Sequence, residues 1–408
     1  MKPLLPPEDL ARYADAMVRT SVSLGKEDDL IVTCEPAHRD LAVALVEAGY
    51  RAGARAVEVV YSDPLLRAAR LRTAPERYVG YISPWRVKRL RAQLEPTTAT
   101  LLVAGDGEPD ALADIDPKRI AIDQTSALQL PWMRRALGKN LRRWGIIAWP
   151  TAAWAAQVYP GVKPETAMRN LARDHMWFCR LGPDDPPGFK GLKTHLDAVR
   201  RRAGRLTKLK LRELDLRGPG TDLRMKLHPE GLWLGGGEKN AHGIHISPNL
   251  PTEESFTTPI ATTTEGTFRC SRPLVFQGRR VDGIRGEFRG GRLVKLQTNG
   301  KNGKFFEEYI GSIKDADRLG EVALVDASSR IGQAGRIYYN TLLDENAAAH
   351  IAFGIGFEKT RTAGRGARGV NRSHTHIDVM IGTDDFEAAG TDARGRRVPL
   401  ISDGAWQL

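Results

Sequence analysis

Asp29–Cys34 reads Asp-Leu-Ile-Val-Thr-Cys and Ala56–Tyr61 reads Ala-Val-Glu-Val-Val-Tyr, with an amphipathic stretch, His38–Gly53, between them. A short apolar run followed by a one-sided helix and a second apolar run is the pattern of neighbouring strands joined by a covering helix. Strands buried on both faces are apolar throughout, whereas the helix needs only one apolar stripe. The pattern extends outward. Ala99–Ala104 (ATLLVA) and Gly145–Trp149 (GIIAW) are expected strands, Ile120–Asp123 is read as another, and Leu128–Trp144 as a helix. Residues 1–205 are therefore expected to form an α/β domain with a mostly parallel sheet. The turns Cys34-Glu-Pro-Ala-His and Gly105-Asp-Gly-Glu-Pro lack the GxGxxG spacing that brings a pyrophosphate onto backbone amides, so a dinucleotide site is not expected.

Two helical stretches follow, Pro164–Arg180 and Phe189–Arg205, and the texture changes at Leu206. Leu209, Leu211, Leu214 and Leu216 lie among charged residues, and Gly-rich turns appear at Arg217-Gly-Pro-Gly, Leu234-Gly-Gly-Gly and Arg289-Gly-Gly-Arg. The last joins Gly286-Glu-Phe to Leu293-Val-Lys-Leu as a hairpin. Residues 206–408 are expected to form a mixed α+β domain, with helices at Gly303–Leu319 and Glu345–Phe357.

The chain has 408 residues, 41% hydrophobic and 27% charged, which excludes wholesale disorder and fibrous repeats. Sixty-one Lys and Arg against 49 Asp and Glu give a net charge of +12 and raise the question of nucleic acid or an anionic membrane. The densest basic cluster is Arg200, Arg201, Arg202, Arg205, Lys208, Lys210 and Arg212; no recognition motif accompanies it, so it reads as a solvated basic face and nucleic acid is not an expected partner. Cys34, Cys179 and Cys270 are too far apart for a disulfide framework or a CxxC clip. Met1–Tyr13 carries three prolines and early acids instead of the apolar region of a leader, and no run reaches membrane-spanning length. A soluble cytoplasmic protein with no membrane partner is expected.

Five of the nine histidines lie between His242 and His376, which points to chemistry in the second half. In the strand-like run Thr375-His-Ile-Asp-Val-Met-Ile-Gly, His376 and Asp378 are two apart and share a face, and His374 would point the same way. Imidazole with carboxylate suits zinc, and carboxylate also suits harder ions. Asp344-Glu-Asn-Ala-Ala-Ala-His350 reads as a capped helix start in which Asn346 and His350 are one turn apart. Glu345 and His350 would share a site only at a frayed first turn. Glu321 precedes Val-Ala-Leu-Val. Glu253 and Glu254 follow Pro251-Thr252 and, in an extended chain, face opposite ways, so at most one is an easy ligand.

Taken together and in this order, Asn249-Leu-Pro-Thr-Glu-Glu-Ser-Phe-Thr, Leu319-Gly-Glu-Val-Ala-Leu-Val, Asn340-Thr-Leu-Leu-Asp-Glu-Asn-Ala-Ala-Ala-His-Ile-Ala-Phe-Gly and His376-Ile-Asp-Val-Met-Ile-Gly resemble the aminopeptidase T and aminopeptidase S family of thermophilic metallopeptidases. The resemblance implies removal of single residues from peptide N-termini with two divalent metals. Its ligand positions fall on Glu254, Glu321, Glu345, His350, His376 and Asp378. It also implies a homodimer. Zinc or cobalt are the first candidates for the two ions, with manganese or magnesium also open, and the substrate is a peptide or small amide with a free amino group. Glu253 is the candidate proton carrier or amine binder. HExxH is absent, so the single-zinc helix mechanism has no support.

Seven residues after His350, where the family typically has tyrosine, this chain has Phe357, which removes a hydrogen-bond donor. The segment Glu358–Val370, with Arg361, Arg365 and Arg368, suggests a positively charged rim favouring acidic or C-terminal carboxylate groups on the substrate. Three other readings stay open here: a related amide hydrolase with a specialised substrate, a mononuclear iron ring-cleaving dioxygenase on the same scaffold, and a basic nucleic-acid-binding protein.

Overall fold

The computed structural model describes residues 4–277, 279–362 and 368–408, and the chain divides into two compact units. The first comprises residues 1–195 and 237–251, the second 196–236 and 252–408.

In the first unit, Leu30, Val32 and Cys34 bury alternate side chains of Asp29–Cys34, which pairs in parallel with Ala56–Tyr61 on one side and Thr98–Ala104 on the other. Arg143–Ala148 and Asn249–Leu250 complete a five-stranded, wholly parallel sheet. The helix Arg39–Ala52 turns Leu41, Leu45 and Ala48 inward and ends at Gly53, whose φ of 96° is the left-handed conformation glycine adopts without Cβ strain. Two expectations fail here. Ile120–Asp123 lies inside the helix Pro117–Thr125, which Asp116 caps by accepting a hydrogen bond from the Lys118 N–H. The expected helix Leu128–Trp144 is shorter, Pro131–Gly138, because Arg143 and Trp144 already belong to a strand.

The second unit contains a nine-stranded sheet and a four-stranded sheet. The large sheet includes Leu211–Gly218, Thr221–Lys226 and the expected hairpin, Arg279–Arg289 with Arg292–Asn299. The small sheet is antiparallel, in the order Ser255–Thr257, Leu319–Leu324, His350–Gly354, His376–Met380. One core joins Leu214, Leu216, Phe268 and Phe288 of the large sheet to Val322, Leu324, Ile351, Phe353, Ile377 and Val379 of the small one. Phe353 sits at its centre, with ring centroids 5.8 Å from Phe268 and 6.0 Å from Phe288.

The helix expected at Gly303–Leu319 is Gly300–Ser312, and Leu319 begins a strand. The helix expected at Glu345–Phe357 is absent: a single 3-10 turn, Glu345–Ala347, leads into the strand His350–Gly354. Three of the seven residues of the basic cluster make local contacts. Arg200 binds Asp197 and donates to the Gly236 carbonyl at 2.6 Å, Arg202 lies 4.6 Å over the Trp406 ring, and Arg205 reaches the Leu408 carbonyl. Among the described residues, no helix is long and apolar enough to cross a membrane.

Candidate metal centre

The small sheet's two faces are chemically opposite, and strand periodicity makes them so. Val322, Ile351, Phe353, Ile377 and Val379 face the core; the alternate residues Glu321, His350, His376 and Asp378 therefore share the other face. Register carries the argument across strands. Ala352 is the partner of Glu321 on one side and of Asp378 on the other, and Ala323 is the partner of His350. Ser255 pairs with Leu324, so Glu254 immediately before it falls on the face of Glu321.

A register irregularity between Leu319 and Glu321 marks a bulge at Gly320, a device that re-aims the following side chain. A Cβ on Gly320 would lie 2.2 Å from the Ile355 carbonyl oxygen and 2.4 Å from that of Gly354, so only glycine fits.

The donor atoms converge in two groups. Atoms of Glu254, Glu321 and His350 lie within 4.8 Å of one another, as do atoms of Glu321, His376 and Asp378. Glu321 belongs to both. His350 Nε2 is 3.2 Å from Glu254 Oε2, and His376 Nε2 is 2.9 Å from Glu321 Oε2 and 3.3 Å from Asp378 Oδ1. All these ligand-type side chains are buried except that of His376, which is partly so.

Glu345 is buried against the same cluster: burial, then Asp378 and Glu254, push its carboxyl well above the usual range. Its neighbour Asn346, fully buried, donates to Glu345 Oε1 at 3.4 Å and accepts from the Glu253 N–H at 2.7 Å. Asn346 therefore ties the Glu345 turn to the Glu253-Glu254 segment. Sequence reading placed Asn346 on a helix turn with His350 and missed this role; the Asp-Glu-Asn string held its only signal.

The remaining sites divide. Glu253 is buried beside Glu254, its backbone held by Asn346. His374 is exposed and precedes the strand that begins at His376, so it does not join the group. Phe357 packs its ring 4.9 Å from that of His376. The expected rim is different: Arg361 has 8% of its side chain exposed, lies 3.5 Å from Glu230 and donates to the Arg368 carbonyl, while Arg365 is outside the described residues.

The donor set fits divalent ions. His376 Nδ1 lies 2.9 Å from the Ile355 carbonyl oxygen and His350 Nδ1 3.3 Å from that of Ala348. A proton held on each Nδ1 leaves each Nε2 lone pair aimed at carboxylates, the tautomer that metal-binding histidines adopt. His350 Nε2 is buried and has no partner in hydrogen-bonding geometry despite its closeness to Glu254. The surroundings also favour positive charge. Burial opposes the imidazolium, yet Glu254, Asp378 and Glu321 outweigh it and lift His350 to about 10. His376 is raised too, by Asp378 and Glu321 against burial. Burial raises the Glu321 carboxyl despite His376, whereas for Asp378 the opposing pull of His376 and His350 prevails and its carboxyl is lowered.

Comparison with known proteins agrees with this chemistry. A family model described as thermophilic metalloprotease (M29) matches residues 7–406. Aminopeptidase T of Thermus aquaticus is 32% identical over 408 residues, covering 98% of this chain and 99% of that protein. Aminopeptidase 2 of Geobacillus stearothermophilus is 30% identical over 407 residues, covering 98% of each. The solved structure of wild-type AmpT from Thermus thermophilus matches with a TM-score of 0.88 at 32% identity, over 98% of this chain and 99% of that one.

Proposed function

The chain belongs to the thermophilic metalloprotease family M29, and on that premise we propose that it is a metal-dependent aminopeptidase working through two divalent ions. Glu254, Glu321 and His350 would hold one ion and Glu321, His376 and Asp378 the other, with Glu345 completing the set. The observation that carries the reading is Glu321's membership of both groups, the place of a bridging carboxylate. A single-ion oxygenase would need only about three protein donors. Two divalent ions held by these residues would supply an activated water and polarise a scissile carbonyl, so no nucleophilic Ser or Cys would be required.

Within the protein, Ala352 keeps space open above the sheet, Asn346 fixes Glu345 and the Glu253-Glu254 segment, and Glu253 is the proposed proton carrier or binder of the substrate's free amine. Zinc or cobalt are the leading ions, because two imidazoles accompany the carboxylates; manganese and magnesium fit the carboxylates alone. That Cys34, Cys179 and Cys270 form no disulfide among the described residues supports cytoplasmic residence. The homodimer belongs to the same reading, and sedimentation tests it.

The decisive experiment strips the protein with chelator, returns zinc, cobalt, manganese or magnesium, and follows hydrolysis of peptides with free and N-acetylated termini. Restored cleavage of free termini only is expected. Glu321→Gln should cost both metal equivalents, whereas Asp378→Asn should cost one. Cleavage that survives chelation, or equal cleavage of acetylated peptides, would refute the proposal.

A further inference from the structure

Glu345 owes its place to its backbone. Its side chain takes a long hydrogen bond from Asn346, 3.4 Å, and it sits on a single 3-10 turn, Glu345–Ala347, preceded by a four-residue helix, Thr341–Asp344. Helical pieces this short are not stable through their own hydrogen bonds, so surrounding contacts must fix them.

Asp344 supplies those contacts. It is 2% exposed and belongs to neither group of converging donors. The Tyr338 N–H donates to its Oδ1 at 2.9 Å and the Asn340 N–H to its Oδ2 at 3.1 Å, which folds the segment before the helix back onto the helix's last residue. The Asn340 side chain caps the same helix by accepting from the Leu342 N–H. A buried carboxylate also needs a counter-charge. Arg272 provides it: its Nη1 lies 3.7 Å from Asp344 Oδ1 and donates to the Arg336 carbonyl at 2.8 Å. Arg272 is held in turn. The Ser271 N–H and hydroxyl both donate to the Met380 carbonyl, at 2.8 and 3.3 Å, and Met380 ends the strand that carries His376 and Asp378. A continuous run of contacts therefore leads from the strand of two donors, through Arg272 and Asp344, to the turn of Glu345.

We propose that Arg272 and Asp344 act as one positioning pair, which sets Glu345 against the donors of the His376–Met380 strand and thereby sets the affinity for one of the two ions. The proposal rests on the two-ion reading and deepens it. Asp344 is not itself a ligand, because its lone pairs are taken by backbone N–H groups and the guanidinium; it acts through Glu345. Asn346 braces the same turn from another side, through the Glu253 N–H. Loss of one brace should loosen the turn and weaken an ion without unfolding the chain.

The test titrates zinc into the full, chelator-stripped protein against a competing chelator dye, well below the Tm of every variant. It is repeated with cobalt, whose absorption bands report ligand geometry. Asp344→Asn and Arg272→Met should each weaken one of the two equivalents by roughly 10–100-fold and shift the cobalt bands of that ion. The other equivalent should change by less than about threefold, and the double variant should be no weaker than the weaker single one, because the two residues act as a unit. Arg272→Lys, which keeps the charge, should retain most of the affinity. Excess metal should restore kcat/KM in these variants to within about threefold of the wild type. Phe353→Leu is the reference for lost stability alone: it should lower Tm and leave both affinities in place. Where Asp344→Asn does not fold, Arg272→Met and Arg272→Lys carry the comparison. Affinities unchanged in folded variants, losses no greater than that of Phe353→Leu, or losses that multiply in the double variant would overturn the pair while leaving the two-ion reading in place. A wild type that binds fewer than two equivalents would overturn that reading, and the pair with it.

Discussion

Ala352→Leu tests the geometry of the centre without touching a ligand. Ala352 is fully buried and stands opposite Glu321 on one strand and Asp378 on the other. Strand spacing of about 4.8 Å puts those two backbones about 10 Å apart, with the Ala352 methyl midway beneath the donor atoms. Leucine adds three carbons, each needing about 4 Å to its neighbours, in a space where each donor group closes to within 4.8 Å. The donors must separate or the strand must shift, and overpacking of this kind costs about 1–3 kcal/mol in itself.

The larger effect is on ion binding. At an ion concentration of about 100 Kd, binding stabilises the folded state by roughly 2.7 kcal/mol. At roughly 2–4 °C per kcal/mol for a domain of this size, the wild type should gain about 5–10 °C in Tm on metal addition. Ala352→Leu should gain less than about 2 °C, bind less than one equivalent by elemental analysis, and lose at least about 10²-fold in peptidase activity. Phe353→Leu, on the opposite face of the same strand, is the matched control: it should lower Tm through the core yet keep the metal-induced rise. Two equivalents bound to Ala352→Leu with a wild-type Tm increment would refute the placement of the ions above this face.

Three further outcomes follow from other parts of the molecule. Burial lowers His38 and His175 to about 4, so between pH 4 and 6.5 the unfolded chain binds more protons than the folded one. Stability should then fall as pH drops through that window, by on the order of 3 kcal/mol for each histidine; denaturant titrations should show a shallower fall in His175→Phe. Gly320→Ala drives a Cβ into two backbone carbonyl oxygens, so it should destabilise by roughly 1–3 kcal/mol and lower metal content by displacing Glu321, both measurable on one preparation. Phe357→Tyr places a hydroxyl beside the His376 ring and should raise kcat by about tenfold or more with little change in KM; an unchanged kcat would show that no donor is wanted there.

The parallel sheet was legible because Asp29–Cys34 and Ala56–Tyr61 are short apolar runs with a one-sided helix between them, although Asp29–Cys34 fully buries only alternate side chains and Ala56–Tyr61, at the sheet's edge, fully buries none. His376 and Asp378 were legible for a similar reason, since a period of two survives in three residues. Glu345–Phe357 was misread because three alanines favour a helix locally, while pairing on both edges makes His350–Gly354 an inner strand of the small sheet. A strand buried along its whole length shows no alternation, so its best signal was the Ile351 and Phe353 pair ahead of Gly354. At Ile120 the overlooked signal was Asp116-Pro117, an N-cap followed by proline at the first helical position.

The charge inventory of the small sheet's polar face bears on the number of ions. Glu254, Glu321, Glu345 and Asp378 are four carboxylates in a buried setting, and His350 and His376, each with a carbonyl available to hold a proton on Nδ1, bring no charge of their own when neutral. Buried charge is tolerated only when compensated. One divalent ion would leave two negative charges uncompensated, which the protein would have to meet by holding protons on groups of the cluster raised by their surroundings, the Glu321 and Glu345 carboxyls or the His350 and His376 imidazoles. Two divalent ions balance the four carboxylates and let every imidazole act as a lone-pair donor. The second ion should therefore bind with release of protons, and binding should weaken steeply as pH falls. Calorimetry in buffers of different ionisation enthalpy counts those protons. A second equivalent that binds without releasing any would mean that the carboxylates were already ionised, and that this balance does not set the stoichiometry.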